Sequence, residues 1–289
     1  MSAAQALDDV LPGISPGIYT AKDFRAVSEL VYAEAGIVLP SGKAMLVYSR
    51  LAPLVRESGC GTFAAYIERI RSDTEMRNRT IASLTTNHTF FYREEHHFEH
   101  FASRIRPEIL HTLQAGGGVR MWSAGCSSGE ETWSLVVTLL GEDRSTGRQI
   151  ASKNIRVLAS DIAPHALKKA TEATYGAADV QAIPGPLRHA WIKETGDKAV
   201  VADEARQLVR FRSLNLLGDW PMKGLFDVIF CRNVMIYFDQ PTKERLVARF
   251  ADKLAPGGFL YIGHSERVTG PAASLLQPVG PTIYQKRAA

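Results

Sequence analysis

The first part of the chain places apolar residues at helical spacing. The segment TAKDFRAVSELVYAEAG begins at Thr20, a residue type that caps helices, and ends at Gly36. Its apolar positions fall on one helical face: Phe24, Val27, Leu30 and Val31. Further amphipathic segments follow, including FAAYIERI and RNRTIASL, without strand-like alternation. The pattern predicts an all-helical N-terminal domain at residues 19–91, after a flexible lead-in at 1–18 that is rich in proline and glycine.

From Val119 onwards, short apolar runs alternate with helical stretches. The runs are VRMWSA, NIRVLAS, LVRFRS, FDVIFC and GGFLYIG, and the helical stretches include EETWSLVVTLL and PTKERLVARFADKLAPGG. Strand–helix alternation predicts βαβ units, and hence an α/β domain at 92–289 whose mostly parallel sheet is covered on both faces. The rhythm breaks between Tyr175 and Ser213, where prolines and glycines accumulate. We expect a small β-subdomain inserted at about 176–213.

Composition and charge exclude several classes of protein. The 289 residues are 45% hydrophobic and 22% charged, which is typical of globular domains. The formal charge of +4 is small for this length and forms no dense basic stripe, so we expect no nucleic-acid binding.

The opening residues do not have the pattern of a signal peptide, and no apolar run reaches the roughly 18 residues of a membrane span. The three cysteines are odd in number and far apart, which implies no disulfide framework. We therefore expect a soluble cytoplasmic protein without direct membrane insertion.

The segment VRMWSAGCSSGEETWSLVVTLL carries the clearest ligand-binding pattern. A buried strand, Val119–Ser123, leads into a loop of small residues, Ala124–Gly129, and then into an amphipathic helix. Small residues allow close approach to a ligand, and a helix N-terminus offers free N–H groups. The loop lacks the lysine of a phosphate-binding loop and the glycine spacing of the dinucleotide fingerprint. Glu130 and Glu131 are common helix-dipole partners, but they would also repel a pyrophosphate. The pattern favours an adenosine-like ligand with a positive tail.

Polar residues end the later predicted strands. The strand IRVLASD ends in Asp161, which is placed to accept ribose hydroxyls, as in nucleotide-binding folds. The same residue is equally suited to cap the helix that begins near Pro164, and both roles stay open. FDVIFC is followed by Arg232 and Asn233, at a position that points into the ligand crevice of an open sheet. A nucleoside combined with a cation indicates S-adenosylmethionine, whose sulfonium and ammonium groups are positive.

Seven segments occur in a characteristic order between about Tyr19 and Tyr284. They are GIVLPSGKAMLVYSRL, LTTNHTFFYREEHHF, WSAGCSSGEE, ASDI, SLNLL, FCRNVMIYFD and GGFLYIGHSE. Together they resemble the CheR family of chemotaxis receptor methyltransferases. The resemblance implies a helical N-terminal domain and a Rossmann-like, S-adenosylmethionine-dependent methyltransferase domain with a small inserted β-subdomain. The implied activity is methyl transfer to glutamate side chains of chemoreceptors (methyl-accepting chemotaxis proteins), giving γ-methyl esters in chemotactic adaptation and S-adenosylhomocysteine as the product.

The resemblance also implies roles for individual residues. Those matching the family's cofactor-binding positions are Asn87, Thr89, Arg93, Glu130, Asp161, Asn215, Leu216, Arg232 and Asn233. Arg93 is in addition expected to orient carboxylates during catalysis. Tyr237 matches a tyrosine near the transferred methyl group, and we expect it to position the acceptor.

A basic helix of the family contacts the receptor, and Lys43 and Arg50 lie at the matching place in this chain. The two residues are seven positions apart and share one face if the helix is continuous there. The chain departs from the family pattern in two places. Phe90, beside Arg93, stands where a small residue is common. The basic helix is usually unbroken in the family, and we expect Pro53 to interrupt it here.

The stretch LTTNHTFFYREEHHFEHF contains a group of histidines: His88, His96, His97 and His100. His96 and His100 share one helical face, a spacing that could bind zinc. No third ligand follows at a suitable spacing, and Phe98, Phe101 and Ile105 form an apolar stripe beside them. We interpret the histidines as surface and packing residues and expect no metal.

Two other classes of protein remain open. A degenerate, non-catalytic module that binds the cofactor or a receptor would carry the same motifs. A dinucleotide-dependent oxidoreductase would share the sheet, although Glu130, Glu131 and the missing third glycine argue against it.

Overall fold

The computed structural model describes residues 15, 17–85 and 88–288. Contacts between residues divide the chain into two compact units. The first comprises Met1–Thr86 with Tyr237–Thr242, and the second comprises Asn87–Ile236 with Lys243–Ala289. Within the described ranges, no helix is long and apolar enough to cross a membrane.

The main segment of the first unit is helical. Its helices are α1 (Ala21–Ala35), α2 (Ala44–Glu57), α3 (Phe63–Ser72) and α4 (Thr74–Leu84). At the start of α1, the Thr20 side chain accepts a hydrogen bond from Asp23 N, and the Asp23 carboxylate accepts one from Thr20 N. This reciprocal pair forms a capping box. The helix ends at Gly36, whose φ of 66° is left-handed and suits glycine. The helical N-terminal domain predicted from the sequence is confirmed.

Helix α2 corrects one expectation. It runs through Pro53, so the predicted interruption does not occur. A proline inside a helix removes one backbone hydrogen bond, but packing of the apolar face holds the two halves together. That face is buried on both sides of the proline, at Val47, Leu51 and Val55.

The first helix of the second unit changes from α-helical to π-helical and back. Helix α5 (His96–His100) continues through a π-helical segment, Phe101–Ile105, into α6 (Arg106–Gln114). Strands and helices then alternate: β1 (Val119–Ala124), α7 (Glu130–Leu140), α8 (Arg144–Ala151), β2 (Ile155–Asp161) and α9 (Pro164–Glu172). Next come β3 (Thr174–Gly176), α10 (Gly185–Trp191), β4 (Ile192–Thr195), β5 (Lys198–Val201), α11 (Asp203–Arg206) and β6 (Val209–Ser213). The last elements are β7 (Phe226–Cys231), α12 (Gln240–Lys253), β8 (Leu254–Ile262), β9 (Leu276–Gly280) and β10 (Ile283–Lys286).

The described residues form a seven-stranded sheet in the order β6-β2-β1-β7-β8-β10-β9. The first five strands in this order are parallel, and β10 is antiparallel to both of its neighbours. Large side chains of the central strands are fully buried: Trp122, Phe230 and Tyr261. Strands buried on both faces explain the near-continuous apolar runs in the sequence. The predicted α/β class, with its mostly parallel sheet, is confirmed.

A second, antiparallel sheet has the order β3-β5-β4. Its strands lie between Thr174 and Val201, within the part of the chain where the sequence breaks its strand–helix rhythm. Strand β6, which the expected subdomain range of 176–213 includes, pairs instead with β2 in the large sheet. The small β-subdomain is therefore present, and β6 returns the chain to the main domain.

Candidate active site

The carboxyl ends of the parallel strands meet at one edge of the large sheet. Strand β1 pairs with β2 on one side and with β7 on the other, so that Ser123 lies between Ala159 and Phe230. The chain order reverses at this point, because β2 and β6 extend one way and β7 and β8 the other. In open α/β sheets, ligands bind outside the carboxyl ends of the strands at such a switch point.

The small-residue loop after β1 is bonded to the end of β2. Gly125 N and Cys126 N both donate to Ser160 O, at 2.8 and 2.9 Å. Gly125 has a φ of 79°, and a Cβ at that position would lie 2.4 Å from the Val234 side chain. Only glycine fits a left-handed residue in so close an approach. The loop is thereby held near both β2 and the segment after β7.

Asp161 joins this loop to the start of α9. Its Oδ2 accepts a hydrogen bond from Ser127 N at 2.8 Å, and its Oδ1 accepts one from Ala163 N at 2.9 Å. Burial raises the pKa of Asp161, although these N–H donors act in the opposite direction. Asp161 is therefore not the N-cap of α9, because that position is Ala163 and carries no side-chain cap; the Asp161 carboxylate binds the backbone N–H of the N-cap residue instead. A carboxylate has about four lone-pair positions, so ligand hydroxyls are not excluded by the two backbone donors.

The first turn of α7 carries two carboxylates of low exposure. Glu130 accepts hydrogen bonds from Ser128 Oγ at 2.7 and 3.0 Å and lies 3.5 Å from Lys169 Nζ. Glu131 accepts one from Ser123 Oγ at 2.8 Å. Burial raises the pKa of Glu131 even though Arg232 opposes that shift. The two acids at this helix start favour a positive group over an anionic one, although each also has a cation nearby, Lys169 for Glu130 and Arg232 for Glu131.

Arg232, directly after β7, lies between two acids. Its Nη1 is 3.3 Å from Glu131 Oε2, and its Nη2 is 3.4 Å from Glu94 Oε2. The guanidinium also donates to the carbonyl of Arg93. Arg232 is only 5% exposed, and a buried cation is tolerated when acids and hydrogen bonds surround it. The arginine therefore connects the end of β7 to α7 and to the segment that precedes α5.

Sequence reasoning did not single out Glu266 and Glu94. The Glu266 carboxylate accepts hydrogen bonds from Asn233 N, Met235 N and Gly263 N at 2.6–3.2 Å, and burial raises its pKa. It holds the turn after β8 against the segment after β7. The signal available in the sequence was an acid close to the end of a predicted strand, in the segment GHSE that follows β8. Glu94 lies in the histidine-rich stretch next to a second acid, Glu95, and no local pattern distinguishes it.

The other predicted cofactor residues of the second unit are placed as follows. Thr89 and Arg93 are half-buried, and Arg93 Nη1 donates to His88 O at 2.9 Å. Leu214 N donates to Asp161 O at 3.0 Å, which brings the segment of Asn215 and Leu216 next to the end of β2. Asn87 lies outside the described residues.

Three further predicted residues belong to the first unit. Tyr237 ends a short 3-10 helix, and its carbonyl accepts a hydrogen bond from Val38 N at 2.9 Å. Lys43 is exposed and ends the 3-10 turn that precedes α2. Arg50 Nη1 donates to the carbonyls of Leu84 and Thr85 at 2.9 and 3.0 Å, so it caps the C-terminus of α4.

The histidines after Arg93 contact residues of β8 and the turn before β10. His97 Nε2 lies 2.9 Å from Thr282 Oγ1, and His100 Nδ1 lies 2.8 Å from Tyr261 Oη. His96 Nε2 lies 3.3 Å from Pro281 O. Among the residues that the structure describes, no group of three or more His, Cys, Asp or Glu side chains could hold a metal ion. These histidines act as hydrogen-bonded packing residues.

One polar atom of the loop after β1 lacks a partner. Ser127 Oγ is buried and makes no hydrogen bond with the residues in the described ranges. It belongs to the residue whose N–H binds Asp161. A buried hydroxyl needs a polar partner, and a ligand that carries hydroxyl groups would supply one. With the acids of α7 close by, the crevice fits a nucleoside that carries a positive group. The fold and this crevice define a Rossmann-like domain for such a ligand.

Comparison with known proteins identifies the family. Residues 87–283 match the family model described as the CheR methyltransferase SAM-binding domain, and residues 22–85 match that of the CheR methyltransferase all-alpha domain. The chain belongs to the CheR methyltransferase family. It is therefore a methyltransferase that depends on S-adenosylmethionine, and the cofactor predicted from the sequence is confirmed.

Relatives from three bacteria are similar over most of their length. A probable chemotaxis protein methyltransferase of Rhizobium etli is 41% identical and covers 89% of this chain and 96% of its own. Chemotaxis protein methyltransferase 2 of Pseudomonas aeruginosa is 40% identical, with 92% and 93% coverage. The chemotaxis protein methyltransferase of Klebsiella aerogenes is 39% identical, with 84% and 82% coverage. The likeness extends over both units of the chain.

Proposed function

We propose that this protein transfers the methyl group of S-adenosylmethionine to glutamate side chains of chemoreceptors. The products are glutamate γ-methyl esters and S-adenosylhomocysteine. The observation that carries the proposal is the match of both the helical and the cofactor-binding domains to one family, at up to 41% identity with relatives named chemotaxis protein methyltransferases.

A glutamate acceptor makes modest chemical demands on the protein. Its carboxyl group has a pKa of about 4.3 and is already ionised near neutral pH, so that no general base is required. When bound, S-adenosylmethionine supplies a methyl group that is electrophilic because its sulfur is positively charged. The remaining tasks of the chain are to align the acceptor and to exclude water.

The proposed cofactor contacts come from the strand ends and the segments beside them. They are Asn87, Thr89, Arg93, Glu130, Asp161, Asn215, Leu216, Arg232 and Asn233. Asp161 accepts the ribose hydroxyls, for which it retains lone pairs beside its two backbone donors. The carboxylates of α7, on the buried Glu130 and the half-buried Glu131, favour the positive groups of the cofactor.

Two residues are proposed to act on the reacting groups. Arg93 orients carboxylates, because its planar guanidinium can hold both oxygens of such a group. Tyr237 positions the acceptor side chain. We assign no proton transfer to either residue, since the ionised carboxylate attacks directly.

The proposed partner is the cytoplasmic domain of a chemoreceptor, and the proposed place of action is the cytoplasm. Chemoreceptor signalling helices are expected to be acidic, so a mildly positive surface near the acceptor would favour encounter. Lys43 and Arg50 are proposed to contribute that charge. The exposure of Lys43 supports its part in this role.

The proposed function is tested first by binding and turnover. Calorimetric titration is expected to show that S-adenosylhomocysteine binds and that NAD does not. A purified chemoreceptor fragment should then accept labelled methyl groups from S-adenosylmethionine. Binding without any turnover would indicate a non-catalytic module and contradict the proposal.

A further inference from the structure

Glu94 occupies a constrained piece of backbone. Tyr92 and Glu94 both have left-handed φ values, 56° and 58°, and so does Asn233, at 58°. Residues other than glycine rarely adopt this conformation, because the side chain makes it unfavourable. Such residues persist only where the surrounding contacts hold them. The contacts of Glu94 identify what holds this segment.

One oxygen of the Glu94 carboxylate accepts hydrogen bonds from two distant segments. Oε1 lies 3.1 Å from Asn233 Nδ2, 3.2 Å from His264 N and 3.0 Å from His264 Nδ1. Asn233 follows β7, and His264 follows β8. A single oxygen therefore binds the ends of two adjacent parallel strands.

The other oxygen faces buried groups. Oε2 lies 3.4 Å from Arg232 Nη2 and 3.5 Å from His97 Nδ1. Burial by itself would raise the pKa of Glu94, but Arg232 and the hydrogen bonds from His264 and Asn233 lower it to about 2. The carboxylate is thus ionised throughout the neutral range. Oε2 makes no hydrogen bond with the described residues, so it acts on Arg232 through its charge.

We propose that Glu94 is a positioning residue that fixes Arg232 and Asn233 in the orientation required for cofactor binding. The inference rests on the proposed function, in which these two residues contact S-adenosylmethionine. In this proposal Glu94 acts through its two partners and not by contact with the cofactor. It acts by bonding the segment before α5 to the ends of β7 and β8.

Removal of the charge should loosen both partners. In Glu94→Gln the side chain keeps its size and one oxygen, but Arg232 loses an anionic partner and can turn toward Glu131 alone. An amide cannot offer acceptors on both sides, since one of its two terminal atoms is a donor. Ligand-contacting groups need supporting hydrogen bonds to keep their orientation, so a loosened Arg232 and Asn233 should bind the cofactor less tightly.

The experiment compares Glu94→Gln with Glu95→Gln. Glu95 is the adjacent acid and is exposed, so its substitution removes the same charge without disturbing the contacts of Glu94. Affinity for S-adenosylhomocysteine is measured by calorimetry, with circular dichroism to confirm that both variants are folded. We expect affinity to fall about tenfold in Glu94→Gln, because the ionic contact with Arg232 is lost and the remaining hydrogen bonds from Asn233 and His264 become neutral. Affinity should stay unchanged in Glu95→Gln.

A second readout requires no ligand. The side-chain amide resonances of Asn233 in the free protein should shift in Glu94→Gln and stay in place in Glu95→Gln. If Glu94→Gln does not fold, Glu94→Asp replaces it, because it keeps the charge but withdraws it by one methylene. We expect that variant to lose about threefold in affinity.

Equal affinity for S-adenosylhomocysteine in the wild type and in the folded Glu94 variant would overturn the inference. That result would leave receptor methylation untouched, because the titration contains no acceptor. Conversely, methyl transfer to a group other than a carboxylate would overturn the proposed function while the effect of Glu94 on cofactor affinity stood.

Discussion

Asp161 shows how one carboxylate can serve the fold and a ligand together. It accepts two backbone N–H groups and is 8% exposed. Replacement by alanine would leave both donors without a partner, whereas replacement by asparagine keeps one acceptor oxygen. The two substitutions therefore separate the structural role from the proposed binding role.

We expect Asp161→Asn to weaken binding of S-adenosylhomocysteine by roughly 1–3 kcal/mol, the range for a hydrogen bond to a charged group. Asp161→Ala should show a similar loss of affinity and, in addition, lower stability by about 1–3 kcal/mol in urea denaturation, with the fold retained. Asp197→Asn, at an exposed acid of the β-subdomain, is the matched control. Unchanged affinity in both Asp161 variants would mean that the ribose binds elsewhere.

His97 makes stability depend on pH. Burial, reinforced by the charge of Arg232, lowers its pKa from 6.5 to about 3. The unfolded chain takes up a proton below about pH 6.5, while the folded state does not until about pH 3. Stability is therefore full above pH 6.5 and falls as the pH is lowered toward 3. Glu94, with its pKa lowered to about 2, adds to the loss only below about pH 4.5.

Between pH 7.5 and pH 5, His97 should account for a loss of about 2 kcal/mol in the free energy of unfolding. The measurement is urea denaturation of the wild type, His97→Asn and His111→Asn at both pH values. His97→Asn should lose about 2 kcal/mol less than the wild type over this interval. His111 is exposed, and its variant should follow the wild type. If His97→Asn loses as much free energy of unfolding between pH 7.5 and pH 5 as the wild type does, the conclusion that His97 is buried as a neutral imidazole is contradicted.

At the scale of single residues, the sequence indicated which acids belong to the candidate site better than it indicated what those acids contact. The acids at Glu130, Glu131 and Asp161 were recognisable because they stand beside a strand end or a helix start. Glu94 was not recognisable, because its partners Asn233 and His264 are more than 130 residues away in the chain. The order of strands in the sheet brings them together, and that order cannot be read from the local sequence. Whether each predicted residue contacts the cofactor stays a prediction.

Helix α2 carries the proposed receptor contact, and its two cations differ in their surroundings. Lys43 precedes the helix and is exposed, whereas Arg50 caps the last carbonyls of α4. Reversal of Arg50 would remove a helix cap as well as a surface charge, and the two effects would be confounded. Lys43 alone gives a clean test of the surface charge.

Lys43→Glu should slow receptor methylation about two- to fivefold at low salt and leave affinity for S-adenosylhomocysteine unchanged. The difference from the wild type should shrink as ionic strength rises, because exposed charges are screened over about 10 Å at 0.1 M. The rate of labelled methyl transfer to a receptor fragment measures both effects. Lys22→Glu, at another exposed lysine of the first unit, is the control. Equal slowing in the two variants would contradict a specific contact at Lys43.

At the scale of elements, periodicity was a good guide where packing follows it. The alternation of apolar runs with amphipathic stretches predicted the parallel sheet, because strands buried on both faces must be continuously apolar. The predicted interruption at Pro53 was wrong, because burial of Val47, Leu51 and Val55 outweighs one missing backbone hydrogen bond. The pairing of β6 with β2 could not be seen locally, since partner choice in a sheet depends on residues distant in the chain.

The whole molecule combines two units whose sequences each match a part of one family. The family establishes the cofactor and the class of reaction. The acceptor does not follow from fold alone, because the same sheet serves many functions. A direct analysis of the methylated product therefore bears most strongly on the proposed function.

The most direct test is the chemical nature of the bond that the enzyme forms. The protein is incubated with a chemoreceptor cytoplasmic fragment and S-adenosylmethionine labelled in its methyl group, and the labelled fragment is then treated with mild alkali. A glutamate γ-methyl ester releases its label as volatile methanol, whereas methylated lysine, arginine or nucleobase does not. We predict incorporation into the fragment that depends on the enzyme and is fully alkali-labile. Alkali-stable label, or transfer to nucleic acid alone, would contradict the account.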